Sequence, residues 1–213
     1  MILIPRLYTI ADATFGDPVT LARELIEGGA RIVQVRNKNA SSRELLNQVD
    51  AVLKFAPADC RVIVNDRADV ALLAKAGGVH LGQNDIPPQN VRNILQPEQW
   101  IGFSTHSLEQ ALESEQFPVD YIAAGPVFPT STKADAEPVI GLHGLREICS
   151  RVRRPVVAIG GITMENARDA IACGAASVAV ISGLLRAHDV ARRTAEWLRY
   201  NSDVCGSPWT STS

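Results

Sequence analysis

Short apolar runs alternate along the chain with longer segments of mixed polar and apolar residues. Eight of these runs are rich in branched aliphatic residues, and each predicts a β-strand. The predicted strands are residues 6–10, 31–36, 61–64, 79–81, 100–103, 121–124, 155–159 and 177–181. Most of them are almost wholly apolar, which is typical of parallel strands that are covered on both faces.

The segments between the strands carry helix signals. Asp17 followed by Pro18 predicts a helix N-terminus, and Gly28 predicts the end of that helix. Ser41 and Ser107 each precede a Glu or Gln by three residues, which predicts a capping box at both positions. One helix is expected to follow the last strand and to end near residue 200.

Eight strand–helix units in one domain predict an α/β fold of the closed (β/α)₈ barrel type over residues 1–200. Residues 201–213 are polar with Gly and Pro, and we expect a loose tail there. A doubly wound open sheet is the alternative. It would need no eighth strand, and it would usually show a glycine fingerprint after the first strand. No such fingerprint follows Ile10.

Composition narrows the class of protein. Hydrophobic residues make up 46%, enough for a sizeable core, and the net charge of −2 argues against nucleic-acid binding through a basic surface. The four cysteines form no C-x-x-C pair, which predicts reduced thiols in a cytoplasmic protein. We expect neither a signal peptide nor a membrane span.

Polar residues stand where the predicted strands end, and in a barrel this is the face that carries the chemistry. Gln34, Arg36 and Lys38 alternate along an extended segment, so we expect their side chains to point together towards the barrel mouth. The ends of strands 3 to 5 add Asn65, Asp66, Gln83, Asp85 and Ser104.

The loop after strand 6 places three hydroxyl side chains beside a lysine: Thr130, Ser131, Thr132 and Lys133. Hydroxyl donors beside a cation suit a phosphate or diphosphate. A solvated turn is the alternative, because Ser and Thr are common in loops. The length and polar content of residues 128–140 also suggest a lid.

Asp66 and Asp85 lie at the ends of adjacent predicted strands, near several cations. Mg²⁺ commonly takes one or two carboxylates and completes its shell with water and phosphate oxygens. The alternatives are ion pairs with Arg36 or Lys38, or helix caps, and for Asp66 alone the cap is favoured. Beside a diphosphate-binding loop, the two aspartates together predict a magnesium site.

Glycine follows strands 7 and 8, at Gly160, Gly161 and Gly183, where backbone N–H groups could approach a phosphate. The alternative is that these glycines only make tight turns. Two anion sites in one barrel suit a reaction in which diphosphate is displaced from one substrate by a second substrate that carries its own phosphate.

The segments QVRNK, VND, HLGQND, FSTHS, GPVFPTSTK, IGGIT and VISG occur in this order from about residue 7 to residue 185. In combination and spacing they closely resemble the thiamine-phosphate synthase family. The resemblance implies a (β/α)₈ fold and a Mg²⁺-dependent reaction. In that reaction, 4-amino-5-hydroxymethyl-2-methylpyrimidine diphosphate joins thiazole phosphate, or its carboxylate, to give thiamine phosphate and diphosphate.

The resemblance also implies roles for individual residues. The residues expected to bind the pyrimidine diphosphate are Gln34, Arg36, Lys38, Asn65, Ser104 and Lys133. Among them, Arg36, Lys38, Ser104 and Lys133 are expected to be catalytic, and Asp66 and Asp85 to bind Mg²⁺. The thiazole phosphate is expected at Thr130, Thr132, Gly161, Ile181 and Ser182. The family usually has an acidic residue at Asn37, whose side chain should point away from the mouth.

Three other functions stay open. A TenI-type thiazole tautomerase shares the barrel, but it lacks much of the diphosphate site and has a histidine where this chain has Pro126. A Schiff-base aldolase would use Lys38 or Lys133 in an apolar setting. A non-catalytic phosphate sensor would lack the metal and diphosphate residues. The sequence leaves the oligomeric state open, including a homo-oligomer. It favours supporting roles for His80 and His106 over zinc ligation.

Overall fold

Eight parallel strands close into a barrel in chain order, with β8 pairing β1. The structure is a computed structural model that describes residues 2–130 and 138–202. The strands are β1 Leu7–Asp12, β2 Ile32–Arg36, β3 Arg61–Asn65, β4 Gly78–Leu81, β5 Trp100–Thr105, β6 Tyr121–Ala124, β7 Val156–Ile159 and β8 Ser177–Val180. The predicted (β/α)₈ barrel is thereby confirmed, and the doubly wound sheet is excluded.

The helices of the described residues lie between and after these strands. They are α1 Pro18–Glu27, α2 Ser42–Leu53, α3 Ala68–Leu73, α4 Pro88–Arg92, α5 Leu108–Ser114, α6 Gly141–Arg151, α7 Met164–Ala172, α8 Ser182–Leu185 and α9 Val190–Ser202. The prediction of one helix after the last strand is wrong, because α8 and α9 are separate. Helix α9 also passes the predicted domain boundary at residue 200, and residues 203–213 lie outside the described part.

Apolar side chains form two cores, as strand alternation requires. Outward-facing residues of the strands, such as Val33 and Val64, pack against the helices. Inward-facing residues fill the barrel itself, with Tyr8, Ile63 and Tyr121 among them. The inner core stops short of the carboxyl ends of the strands, where a cavity opens.

Helix caps follow the sequence closely. Asp17 Oδ2 accepts from Thr20 N at 2.9 Å, and Ser41 and Glu44 form the predicted capping box. The box predicted at Ser107 is only half formed. Ser107 Oγ accepts from Gln110 N, but the Gln110 side chain accepts from His106 N instead of from Ser107 N.

Strand β1 is longer than predicted. It continues through Ala11 and Asp12, which stay in register with Val35 and Arg36 of β2. An ion pair between Asp12 and Arg36 holds this extension in place. The polar side chain of Asp12 therefore ends the strand, where the apolar pattern alone ended it at Ile10.

The predictions on membrane spans and on cysteines can be compared with the described residues. In the described residues, no helix has the length and apolar character needed to cross a membrane. Cys60, Cys149 and Cys173 are unpaired, in line with the prediction of reduced thiols, and Cys205 lies outside the described residues.

Candidate active site

A cavity of about 180 Å³ opens at the carboxyl ends of the strands. All eight strands, or the loops that follow them, contribute to its lining. The cavity collects these predicted site residues: Gln34, Arg36, Lys38, Asn65, Asp66, Asp85, Ser104 and Ile181. Residues that lie far apart in sequence therefore meet at the barrel mouth, as their positions at the strand ends predicted, and their roles in binding and catalysis stay predictions.

The cavity is neutral at its floor and charged at its rim. Along β2, Gln34 is 3% exposed, while the side chains of Arg36 and Lys38 are 15% and 59% exposed. The lower walls are apolar, formed by residues such as Ile10 and Val157. This gradient suits a ligand with an aromatic ring at one end and an anionic group at the other.

Arg36 is held by a carboxylate that sequence reasoning missed. Its Nη1 lies 2.5 Å from Oδ2 of Asp12, which is 2% exposed. Asp12 also accepts from the N–H and the hydroxyl of Thr14 through Oδ1. A buried carboxylate with this many donors fixes the guanidinium at the cavity wall. The missing signal was strand length, since β1 was expected to end at Ile10.

Asp66 and Asp85 meet at the rim, beside Lys38. Lys38 Nζ lies 3.6 Å from Asp66 Oδ2, and Gly82 N donates to Asp85 Oδ2 at 2.6 Å. Burial is the largest cause of the raised pKa of Asp85, and the charge and hydrogen bond of Asp66 raise it further. The Gly82 N–H and the charge of Lys38 partly offset this effect.

Two carboxylates in contact fit a divalent cation, because Mg²⁺ relieves their repulsion and leaves positions for water and phosphate oxygens. Among the described residues no group of three or more His, Cys, Asp or Glu side chains could hold a metal. A cation bound at this rim would therefore need further oxygen ligands from water or from the phosphate groups of a substrate. The ion pair of Asp66 with Lys38, which was one of the alternatives to a metal site, is present as well. The alternative of Asp66 as a helix cap is wrong, because α3 has Arg67 as N-cap without a side-chain cap bond.

Gly160 and Gly161 lie beside the cavity, under the loop that follows β6. Their φ values are +95° and +63°, and a Cβ on either would collide with that loop, at Pro126 or Pro129. Phe128 N donates to Gly160 O at 3.0 Å. Close packing of two loops is therefore one reason for these glycines. They do not line the cavity, and neither do Thr130 and Ser182.

Two predicted residues, Thr132 and Lys133, lie outside the described residues, as does most of the segment expected to form a lid. Asn37 points away from the mouth as expected, since its Nδ2 donates to Gln48 of α2 at 3.3 Å. His106 supports the β6 loop, because its Nδ1 lies 2.7 Å from Gly125 O.

The cavity floor carries a polar cluster that sequence reasoning largely missed. Tyr8, Tyr121 and His80 lie side by side there, each 9% exposed or less. Tyr8 Oη bonds Tyr121 Oη at 2.8 Å, and Tyr121 Oη bonds His80 Nδ1 at 3.2 Å. Two of the three tyrosines of the chain stand in apolar strands. The sequence therefore contained a signal for this cluster, because a phenol in a buried strand needs a hydrogen-bond partner.

The fold and the site together define a (β/α)₈-barrel enzyme with its site at the carboxyl ends of the strands. Residues 7–184 match the family described as "Thiamine monophosphate synthase". The chain belongs to this family, which makes it a transferase of thiamine biosynthesis, as the motif resemblance indicated.

Individual relatives agree with this assignment. The thiamine-phosphate synthase of Koribacter versatilis is 43% identical over 203 residues, which cover 92% of this chain and 95% of that protein. The thiamine-phosphate synthase of Pyrococcus furiosus is 44% identical over 202 residues, covering 94% and 97%. The solved structure of thiamine phosphate pyrophosphorylase from Pyrococcus furiosus superposes with a TM-score of 0.87 at 43% identity, covering 94% of this chain and 97% of that one.

Proposed function

We propose that this chain joins 4-amino-5-hydroxymethyl-2-methylpyrimidine diphosphate to thiazole phosphate, or to its carboxylate, and releases diphosphate. The products are thiamine phosphate and diphosphate, with CO₂ as well when the thiazole is the carboxylate. The observation that carries the proposal is the convergence of strand-end residues on one cavity whose floor is neutral and whose rim is charged.

The depth of the cavity supports one orientation of the pyrimidine diphosphate. Its ring lies at the floor, against aromatic and aliphatic side chains and beside Gln34. Its diphosphate lies at the rim, where Arg36 and Lys38 are cations and Asn65 and Ser104 are neutral hydrogen-bonding groups. Lys133 completes this site as a third cation, by its place in the TSTK motif.

Asp66 and Asp85 hold Mg²⁺ in this proposal. Bound Mg²⁺ would neutralise charge on the departing diphosphate. The side-chain contact between the two aspartates supports this role, because two adjacent carboxylates are costly without a cation between them.

The reaction is a dissociative substitution. The amino group of the pyrimidine pushes electrons towards the ring CH₂, the C–O bond breaks, and diphosphate leaves with the electron pair. Arg36, Lys38 and Lys133 stabilise the charge that grows on the departing oxygens. The thiazole nitrogen then forms the new C–N bond to the cationic CH₂, so no side chain has to act as a nucleophile.

The thiazole phosphate binds on the side of β6 to β8. Its phosphate is held by backbone N–H groups near Gly160 and Gly161, by Ser182, and by the hydroxyls of Thr130 and Thr132. Ile181 lines the cavity, and in this proposal the thiazole ring lies against it. This arrangement brings the thiazole nitrogen towards the CH₂ group of the first substrate.

The rival functions have less support. A Schiff-base lysine needs a setting that lowers its pKa, but Lys38 is exposed and pairs with Asp66. A phosphate sensor would not need the carboxylate pair. A tautomerase would not need the diphosphate residues that meet at the rim of the cavity.

A coupling assay tests the proposal. Purified protein is mixed with the pyrimidine diphosphate, thiazole phosphate and Mg²⁺, and thiamine phosphate and diphosphate are measured with and without EDTA. We expect both products in equal amounts, and only with metal. Folded protein that binds either substrate without forming product would contradict the proposal, and isomerisation of the thiazole carboxylate would then identify a tautomerase.

A further inference from the structure

A chain of hydrogen bonds crosses the barrel floor from β2 to β5. Gln34 Nε2 donates to Tyr8 Oη at 2.9 Å, and Tyr8 Oη bonds Tyr121 Oη at 2.8 Å. Tyr121 Oη bonds His80 Nδ1 at 3.2 Å, and His80 Nε2 bonds Ser104 Oγ at 3.0 Å. The chain therefore connects Gln34 and Ser104, which lie on opposite sides of the proposed pyrimidine site.

With His80 as a neutral imidazole, the three interior residues have one proton each to donate, and the Gln34 amide supplies the proton of the fourth link. Burial raises the pKa of Tyr8 to about 12 and, as the largest cause, holds that of Tyr121 well above its ordinary value. Both phenols are therefore neutral, and each donates once. A neutral imidazole donates from one ring nitrogen and accepts at the other. Two donors or two acceptors facing each other would waste a buried hydrogen bond, so all links point the same way.

Gln34 sets the direction. Gln34 Nε2 donates to Tyr8 Oη. Every proton of the chain then has an acceptor within it only if Tyr8 donates to Tyr121 and Tyr121 donates to His80 Nδ1, two links whose distances alone do not fix the donor. His80 is then the Nε2–H tautomer, and it donates to Ser104 Oγ. This direction leaves the amide oxygen of Gln34 and the hydroxyl proton of Ser104 available to the cavity that both residues line.

We propose that this one-way hydrogen-bond chain makes Tyr8, Tyr121 and His80 positioning residues for the amino group of the pyrimidine substrate. The inference rests on the proposed function for the identity of that substrate. An amino group on a pyrimidine ring donates hydrogen bonds, so it is matched by the Gln34 amide oxygen and not by the Gln34 amide nitrogen. The reversed chain would turn that nitrogen towards the amino group.

Close packing at Gly102 supports a built arrangement. A Cβ at Gly102 would lie against Cζ and Oη of Tyr121 and 2.5 Å from His80 Nδ1. Glycine in the middle of β5 therefore leaves the room in which Tyr121 and His80 meet. The two rings are also stacked, with centroids 5.6 Å apart and an interplanar angle of 27°.

The direction of the chain is tested first on the full-length protein without substrate. Nitrogen-15 NMR of labelled histidine reports the tautomer of each imidazole, and His80→Asn assigns the His80 signals by their loss. We expect His80 to be the Nε2–H tautomer in the wild type. We expect Tyr121→Phe to weaken this preference, since Nδ1 loses its donor. An Nδ1–H tautomer in the wild type would overturn the inference.

The effect on recognition is tested by the affinity for the 4-amino pyrimidine diphosphate relative to its 4-oxo analogue. We expect the wild type to prefer the amino compound, and Tyr121→Phe to reduce this ratio about tenfold or more because the orientation of Gln34 is no longer fixed. Tyr200→Phe removes a phenol hydroxyl on α9, away from the cavity, and should leave both the ratio and the tautomer unchanged. An unchanged ratio in Tyr121→Phe would overturn the inference.

Failure of this inference can be told apart from failure of the proposed function. If Tyr121→Phe does not fold, Tyr8→Phe breaks the link between the two phenols and also removes the acceptor of Gln34 Nε2, so it should lower the amino-to-oxo ratio as well. The wild-type tautomer is a test that needs no variant. An active coupling enzyme with the Nδ1–H tautomer would overturn this inference alone. An inactive protein with the Nε2–H tautomer would overturn the proposed function, and with it the assignment of the amino group as ligand.

Discussion

Arg36 is anchored to Asp12, with 2.5 Å between Nη1 and Oδ2, and the carboxylate is almost wholly buried. The two residues are paired in register at the ends of β1 and β2. Because the guanidinium is fixed before any ligand arrives, its entropy is not lost again when diphosphate binds. This ion pair therefore links the end of β1 to the rim of the site.

Replacing Asp12 tests this link. We expect Asp12→Asn to lower kcat/KM by about 10- to 100-fold, because Arg36 loses its anchor. The free energy of unfolding should fall by about 3 kcal/mol, since the partly buried guanidinium of Arg36 loses its charged partner. Steady-state kinetics and urea denaturation measure the two effects. Asp59→Asn removes the exposed partner of Arg31 and should cost less than about 1 kcal/mol. Unchanged kinetics in Asp12→Asn would contradict the anchoring role.

The carboxylate pair predicts the metal dependence. We expect Asp85→Asn to raise the Mg²⁺ concentration needed for half-maximal activity by about tenfold or more, because one oxygen ligand loses its charge. Binding of Mn²⁺, followed by electron paramagnetic resonance, should weaken in parallel and does not depend on turnover. Asp69→Asn is the control, as Asp69 is exposed and pairs with Arg67. Equal metal affinity in Asp85→Asn and the wild type would exclude Asp85 as a ligand.

Lys133 is expected to act on the leaving group. Lys133→Ala should lower kcat by about 100-fold with little change in KM for the thiazole, because negative charge grows on the diphosphate only as it departs. Lys54→Ala, at the exposed end of α2, serves as the matched control. If Lys133→Ala changed KM for the thiazole alone, the lysine would belong to uniform substrate binding instead.

Gly102→Ala tests the packing of the barrel floor. The added Cβ would force Tyr121 and His80 apart, and we expect a loss of about 1–3 kcal/mol in the free energy of unfolding. Activity should also fall, since both side chains support the pyrimidine site. Gly144→Ala, in α6, is the matched control, because its Cβ would lie 3.2 Å from Ile140 Cβ without meeting the cavity. Thermal or urea unfolding of both variants gives the comparison, and equal stability would contradict the account.

The buried phenol of Tyr8 predicts a loss of stability at high pH. Its pKa is raised to about 12 by burial, whereas an unfolded tyrosine titrates near pH 10. Below pH 10 the phenol is neutral in both states. Between pH 10 and 12 the unfolded chain loses the proton first, so the folded state is disfavoured by up to about 2–3 kcal/mol. Urea denaturation should show a smaller decline over this range in Tyr8→Phe, and an equal decline would argue against the raised pKa.

The fold was predictable because each strand has a local sequence signal. Buried parallel strands read as short apolar runs, and capping residues such as Asp17 and Ser41 marked the helices between them. The end of β1 was not predictable in this way. Asp12 is a polar residue inside a strand, and it stays there because Arg36 of the neighbouring strand pairs with it. That pairing is a tertiary contact, which apolar periodicity does not report.

The rim of the cavity was predictable from the sequence, but of its floor only Gln34 was predicted as a site residue. Residues such as Arg36 and Asp85 stand at strand ends, and the barrel topology alone brings them together. In the sequence, Tyr121 is an aromatic residue that begins an apolar strand, and Gly102 is a small residue within a strand. No local feature distinguishes either of them from an ordinary core residue. Their roles follow from contact with His80 across neighbouring strands, which depends on register and side-chain direction.

A crystal structure with the pyrimidine diphosphate and Mg²⁺ would test the central claim most directly. The account predicts the ring at the cavity floor beside Gln34, and the diphosphate at the rim with Arg36 and Lys38. The metal should lie between the diphosphate and the carboxylates of Asp66 and Asp85. A diphosphate bound instead at Gly160 and Gly161, with the cavity floor empty, would contradict the account.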